Sequence, residues 1–407
     1  MDHTTPHAAT RRSVLLAGGA LFGAAFLPKS AHASNTRDPR LVVLVLRGAL
    51  DGLAAVGPFG DPDYAGLHGE LALRRDGPHA GLPLDGFFLL NPGMPHFAKL
   101  FRDNQAAIVH AVATPYRDRS HFDGQDILES GFDRPGRTTS GWLNRVIETL
   151  PKGEKAQASR GLAVGAVAPL IMRGSAPVLG WSPTNLPPPG EDLTSRLLAL
   201  YKTNDPVLAG ALGQALETEK IANRERGQAP GGGEAALMQR VAEGAAKLVA
   251  AEDGPRIAAL AFDGWDTHAN EGGPTGRLAM LLSGLDGALN AFQMGLGPAW
   301  KDTVVVAITE FGRTAKINGT TGTDHGTGTV AFLAGGAVKG GRVISDWPGL
   351  SLAALHEKRD LRPTTDLRAV LKGVLSDHLG ISNAALGDKI FPGSIGVQPM
   401  RNLIATA

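Results

Sequence analysis

Short unbroken runs of apolar residues alternate along this chain with longer stretches whose apolar positions recur every three or four residues. Leu41-Val42-Val43-Leu44-Val45-Leu46 is one such run, and similar ones recur over residues 107–112, 257–262, 303–309 and 329–333. A half-exposed strand alternates with period two, so unbroken runs predict strands covered on both faces, as in a parallel sheet. Helical spacing is clearest over residues 234–251, 277–294 and 365–378, the last with Thr365 expected as its N-cap and Gly380 as its stop. Alternation of the two patterns predicts an α/β fold. Between about 190 and 223 the chain turns helical and more charged, then closes in Gly227-Gln228-Ala229-Pro230-Gly231-Gly232-Gly233, a linker composition. Residues 190–233 therefore read as a helical insertion in the sheet domain. No internal repeat is seen.

The first 33 residues do not fit this pattern. Arg11-Arg12 precede a mildly apolar stretch from Val14 to Pro28, and Ala31-His32-Ala33 offers small residues for cleavage. This reads as a signal peptide of the twin-arginine type, with a short N-terminal anchor helix as the alternative. The expectation is a mature chain over residues 34–407 in the periplasm or secreted, the twin-arginine export machinery being its first partner.

Composition narrows the chemistry. The 40 Lys and Arg stand against 39 Asp and Glu, and no basic run with interleaved aromatics occurs, which argues against nucleic acid as a partner. Cysteine is absent, so disulfides, thiolate metal sites and thiol catalysis are excluded. Any metal must rest on Asp, Glu, His and neutral oxygens.

Five polar segments near predicted strands carry such residues. Asp51 lies in Arg47-Gly48-Ala49-Leu50-Asp51-Gly52 after the first strand, where it can ligate a cation or simply close the turn. Asp266 and His268 stand two apart after residues 257–262, so on an extended segment they point the same way. Glu310 and Arg313 follow residues 303–309, as a hard-cation ligand and an anion-binding fork, or as a surface ion pair. Asp324 and His325 lie between glycines ahead of residues 329–333. In Arg119-Ser120-His121-Phe122-Asp123, Ser120 has the form of a helix N-cap, and His121 is a ligand, a base or an attacking group. Convergence of these Asp, Glu and His residues suits Zn²⁺, Mn²⁺, Mg²⁺ or Ca²⁺.

The strings LVVLVLRGALDGL, SHFDGQDILESG, FDGWDTHAN, TEFGRTAKINGTTGTDHGTG and GGRVISDWPGL resemble the bacterial exported proteins of domain-of-unknown-function family 1501, over about residues 41–395. That family is similar in organisation to the alkaline phosphatase and sulfatase superfamily, which implies a central sheet sandwiched by helices. The resemblance implies a metal-dependent hydrolase of a small anionic phosphate or sulfate ester. Asp51, Asp266, His268, Glu310, Asp324 and His325 would surround a divalent ion, Ser120 or His121 would attack, and Arg313 would steady anionic charge. Where the superfamily has an Asp-His pair this chain has Glu310-Phe311, one nitrogen ligand short. The alternative is a non-catalytic envelope binding or assembly factor that keeps the fold.

Overall fold

All seven residues of strand β1, Arg40–Leu46, are buried, as an unbroken apolar run requires. The computed structural model describes residues 37–150, 161–165, 167–183, 198, 201–202, 206–223 and 233–405. Two units divide the chain, Met1–Asp38 and Pro39–Ala407. Only residues 37 and 38 of the first are described, and the fold below is that of the second. The leader over 1–33 lies outside the described residues, as does much of the insertion over 190–233. Within that stretch the helix Pro206–Asn223 packs against the helix Glu234–Ala250 and the strand Val178–Trp181.

The remaining strands are β2 (Val56–Gly57), β3 (Leu82–Pro83), β4 (Leu89–Leu90), β5 (Ala106–Ala113), β6 (Gly161–Val164), β7 (Val178–Trp181), β8 (Ile257–Phe262), β9 (Thr303–Ile308), β10 (Thr329–Ala334), β11 (Arg342–Ile344) and β12 (Thr365–Asp366). The central sheet runs β11-β5-β10-β9-β1-β8-β6-β7, with β12 also on β5, and β2-β4-β3 form a small separate sheet. Strand β1 is parallel to both β8 and β9, and β6 to β7 and β8. Among the described residues only β10 breaks the direction of this sheet, pairing antiparallel with β5 and β9.

Helices cover both faces. Val42, Leu44 and Leu46 join one core with Phe97, Leu281 and Leu285, while Leu41, Val43 and Val45 join another with Trp142, Val370 and Val374. Successive side chains of a strand point to opposite faces, so β1 serves both cores at once. The fold is thus the expected α/β sandwich.

Two expectations need correction. Thr365 does not cap the helix Leu367–Leu379, because Thr365 and Asp366 first pair with β5; Asp366 is the cap, its carboxylate accepting from Arg368 N at 2.8 Å. Gly380 ends that helix in the left-handed conformation as expected. The strand over 329–334 is antiparallel rather than parallel. The segment after β9 folds back over the sheet and enters β10 from the same end, which brings Glu310, Arg313 and His325 to one edge. Strands β1, β5 and β8 run parallel to β9, so the residues following them reach that edge too. Open α/β sheets place their sites there.

Candidate metal centre

The helix His121–Ser130 begins shortly after β5, and Ser120 is its N-cap, Oγ accepting from Asp123 N at 3.4 Å. His121, on the first turn, turns Nδ1 to Glu310 Oε1 at 2.8 Å. A short extended segment after β8 carries Asp266 and His268, with His268 Nε2 3.1 Å from Asp266 Oδ1. His325 pairs across an isolated bridge with Arg313 and brings its Nε2 to 3.3 Å from the same oxygen. His121 Nε2 is 3.4 Å from it, and His268 and His325 face each other at 2.9 Å, Nε2 to Nε2. Ligand atoms of His121, Asp266 and His325 all lie within 4.8 Å of one another.

The protons decide what this cluster is. His325 Nδ1 meets the carbonyl of Arg119 at 2.9 Å, His268 Nδ1 meets Asp324 Oδ1 at 3.4 Å, and His121 Nδ1 meets Glu310. Carbonyl and carboxylate oxygens only accept, so each Nδ1 carries the proton and each neutral ring presents a lone pair at Nε2. Three lone pairs and a carboxylate oxygen crowded together repel unless a cation or extra protons stand among them. His121 Nε2 is buried without a hydrogen-bond partner. Adjacent ligands of a tetrahedral Zn²⁺ with bonds of about 2.0–2.1 Å lie roughly 3.3 Å apart, close to the 3.1–3.4 Å from each Nε2 to Asp266 Oδ1, while the group whose ligand atoms all lie within 4.8 Å of one another is His121, Asp266 and His325, with His268 beside it. The donor set therefore fits a small divalent ion, and each ring is oriented through its other nitrogen, as metal-bound histidines are.

Local electrostatics favour the ligand forms of two members. Burial pushes the Asp266 carboxyl up, but the Arg313 hydrogen bond and neighbouring charge outweigh it and hold it below its ordinary range. Burial also lowers His325, keeping it neutral. His121 is raised, chiefly by its hydrogen bond to Glu310. Glu310 is fully buried yet held below the usual range, since His121, Gln125 and the Gly48 N–H outweigh its desolvation. Gly48 donates at 2.8 Å from a backbone at φ +121°, and a Cβ there would come 2.4 Å from Asp266 N, so no other residue fits.

Several predicted residues take other places. Asp51 is not in the donor set: it closes its turn, Oδ1 accepting from Leu53 N and Ala54 N, while Oδ2 lies 3.2 Å from His68 Nε2. Glu310 bears on His121 rather than on Asp266, and it is His121 that joins the ring of donors. Asp324 supports His268 and is half exposed. Arg313 is buried and each of its guanidinium nitrogens is held, with Nη1 on Asp266, Nε on Thr323 Oγ1 and Nη2 on Thr323 O. It therefore orients Asp266 instead of facing outward as an anion fork. Phe311 stacks on His121 with ring centroids 5.0 Å apart, so the position lacking the expected histidine becomes the wall behind one.

Sequence reading missed Arg119, His68 and Glu271. Arg119 stands at φ 60°, which aims its carbonyl at His325, while its side chain is held by Asp360 at 2.8 Å. No local pattern marks a backbone carbonyl as a partner.

Residues 91–390 match a family model described as protein of unknown function (DUF1501). No curated protein matches the chain. Among solved structures it is similar to a 2-O GAG sulfatase, at 12% identity and TM-score 0.41 over 84% of this chain and 71% of that one. It is similar to the phosphonate monoester hydrolase of Agrobacterium radiobacter, at 10% and 0.36 over 84% and 74%. A protein in the alkaline phosphatase superfamily from Vibrio parahaemolyticus matches at 13% and 0.34 over 73% and 60%.

Proposed function

We propose, for a chain that belongs to the DUF1501 family of proteins of unknown function, that it is an exported, divalent-metal-binding hydrolase of phosphate or sulfate esters. One observation carries the metal-binding part: the Nε2 atoms of His121, His268 and His325 face Asp266 Oδ1 at 3.1–3.4 Å, each with its Nδ1 turned to an acceptor. The ester class follows the resemblance drawn from TEFGRT and GTDHG, and the export route follows Arg11-Arg12. Zn²⁺ and Mn²⁺ suit the nitrogen-rich set better than Mg²⁺ or Ca²⁺.

A bound cation would supply Lewis-acid polarisation of an ester oxygen and acidify a nearby hydroxyl. The chain's own residues do the rest. His121, Asp266, His268 and His325 bind; Glu310, Asp324 and the Arg119 carbonyl fix the three rings; Arg313 keeps Asp266 ionised and in place. Ser120, one residue before His121 at a helix start, is the attacking hydroxyl of this reading. Half exposure of Asp266 and His268 leaves the centre open to a substrate.

A second reading, a metal-holding envelope factor without catalysis, is favoured by the burial of Arg313, each of whose three nitrogens donates to a protein oxygen. A panel of aryl and sugar phosphate and sulfate esters, assayed with Zn²⁺ or Mn²⁺ and again with chelator, separates the two. Hydrolysis that needs metal and is lost in Ser120→Ala is the expected result. Metal bound with no turnover across the panel would instead support the factor.

A further inference from the structure

Behind Asp266 lies a buried polar chain that continues past Arg313 to Thr323 and Glu271, two residues the proposed chemistry does not use. Arg313 Nη1 donates to Asp266 Oδ1 at 2.7 Å, and Nε donates to Thr323 Oγ1 at 3.1 Å. The same hydroxyl donates to Glu271 Oε2 at 2.7 Å, and the Thr323 carbonyl accepts from Arg313 Nη2 at 2.7 Å. Thr323, Glu271 and Arg313 are all buried. On the far side Asp51 and His68, 3.2 Å apart and both buried, add charge that acts on Arg313 and Glu271.

A buried guanidinium is costly unless its donors are met, and a long side chain held at one contact swings about it. Here the fork has three fixed partners, two from Thr323 and one from Asp266. Thr323 in turn has one rotamer that satisfies both Arg313 and Glu271, because its single proton goes to Glu271 and its lone pair to Arg313. Removing either end frees the hydroxyl to turn. The chain thus fixes which Asp266 oxygen meets the three imidazoles.

We propose that Thr323 and Glu271 are positioning residues for the metal centre, acting through Arg313 to hold Asp266 Oδ1 at the meeting point of His121, His268 and His325. This rests on Asp266 being a metal ligand. Outer partners of metal ligands commonly set affinity by about 10–100-fold.

The test uses the full chain and Co²⁺ as the probe, read by titration and by the visible absorption band that reports coordination geometry. Wild type binds Co²⁺. Thr323→Val, which keeps the shape and loses the hydroxyl, is expected to bind about 10–100-fold more weakly with an altered band. Thr323→Ser, which keeps the hydroxyl, retains both affinity and band, and Glu271→Leu behaves like Thr323→Val. Equal affinity and an unchanged band in a folded Thr323→Val overturn the inference. So does a Thr323→Val chain that fails to fold while Thr323→Ser folds, since the hydroxyl then serves the fold. Wild type that binds no Co²⁺ fails differently, by removing the metal reading itself.

Discussion

His121 stands between a carboxylate that favours its charged ring and a donor set that needs it neutral. Glu310 raises it above its ordinary value, so below that point a metal must displace a proton, and affinity climbs with pH. Zn²⁺ affinity is expected to rise by up to roughly tenfold per pH unit while His121 titrates and then to level off. In Glu310→Gln the climb moves to lower pH, and at pH 8 the affinity is about 10–100-fold weaker, as calorimetric titrations across pH would show. His110 offers a separate check on the fold. Burial lowers it to about 4, with Nε2 donating to Val56 O. The unfolded chain takes up this proton below about 6.5 and the folded chain does not, so stability is full above that pH and falls as pH drops toward 4. From pH 7 to 5 the loss is about 2 kcal/mol, and urea unfolding of His110→Asn should show a shallower slope. At this scale the sequence is legible where partners are neighbours. Asp266 and His268 share a segment and a direction, whereas the exchange of roles between His121 and Glu310 depends on a contact 189 residues apart in sequence.

Elements carry the site through their ends. Helix and strand bodies follow from apolar spacing, but the direction of β10 does not, because an unbroken run reads the same both ways. Its reversal follows from the fold-back of residues 309–328, and the bridge between Arg313 and His325 holds that fold closed. Gly326 makes the bridge tight, since a Cβ there would lie 2.2 Å from the Arg313 carbonyl oxygen. Gly326→Ala should therefore cost about 1–3 kcal/mol and shrink the thermal stabilisation given by Zn²⁺, measured by melting with and without the ion. Away from the site, Asp366→Ala removes a cap and should cost about 1 kcal/mol in chemical denaturation with metal affinity unchanged. The shift of that cap from Thr365 was not legible either, because both residues suit the role and only pairing with β5 chooses between them.

For the whole molecule, the sheet order brings the ends of β1, β5, β8 and β9 to one edge, and the polar residues that follow them split into two layers. The outer layer is the imidazole and Asp266 cluster. The inner one is the buried group of Asp51, His68, Glu271 and Arg313. Sequence alone placed Asp51 and Arg313 of the inner set near strand ends beside the outer one, missed His68 and Glu271, and had no means of sorting residues by depth, which is why Asp51 was expected at the metal. The near balance of charge over the chain gives no strong net attraction for an ion. Elemental analysis of the purified chain beside Asp266→Ala tests this most directly. The account predicts about one divalent ion per wild-type chain and none in the variant. A wild-type chain that carries no divalent metal, and melts at the same temperature with added Zn²⁺, Mn²⁺ or Ca²⁺, would contradict it.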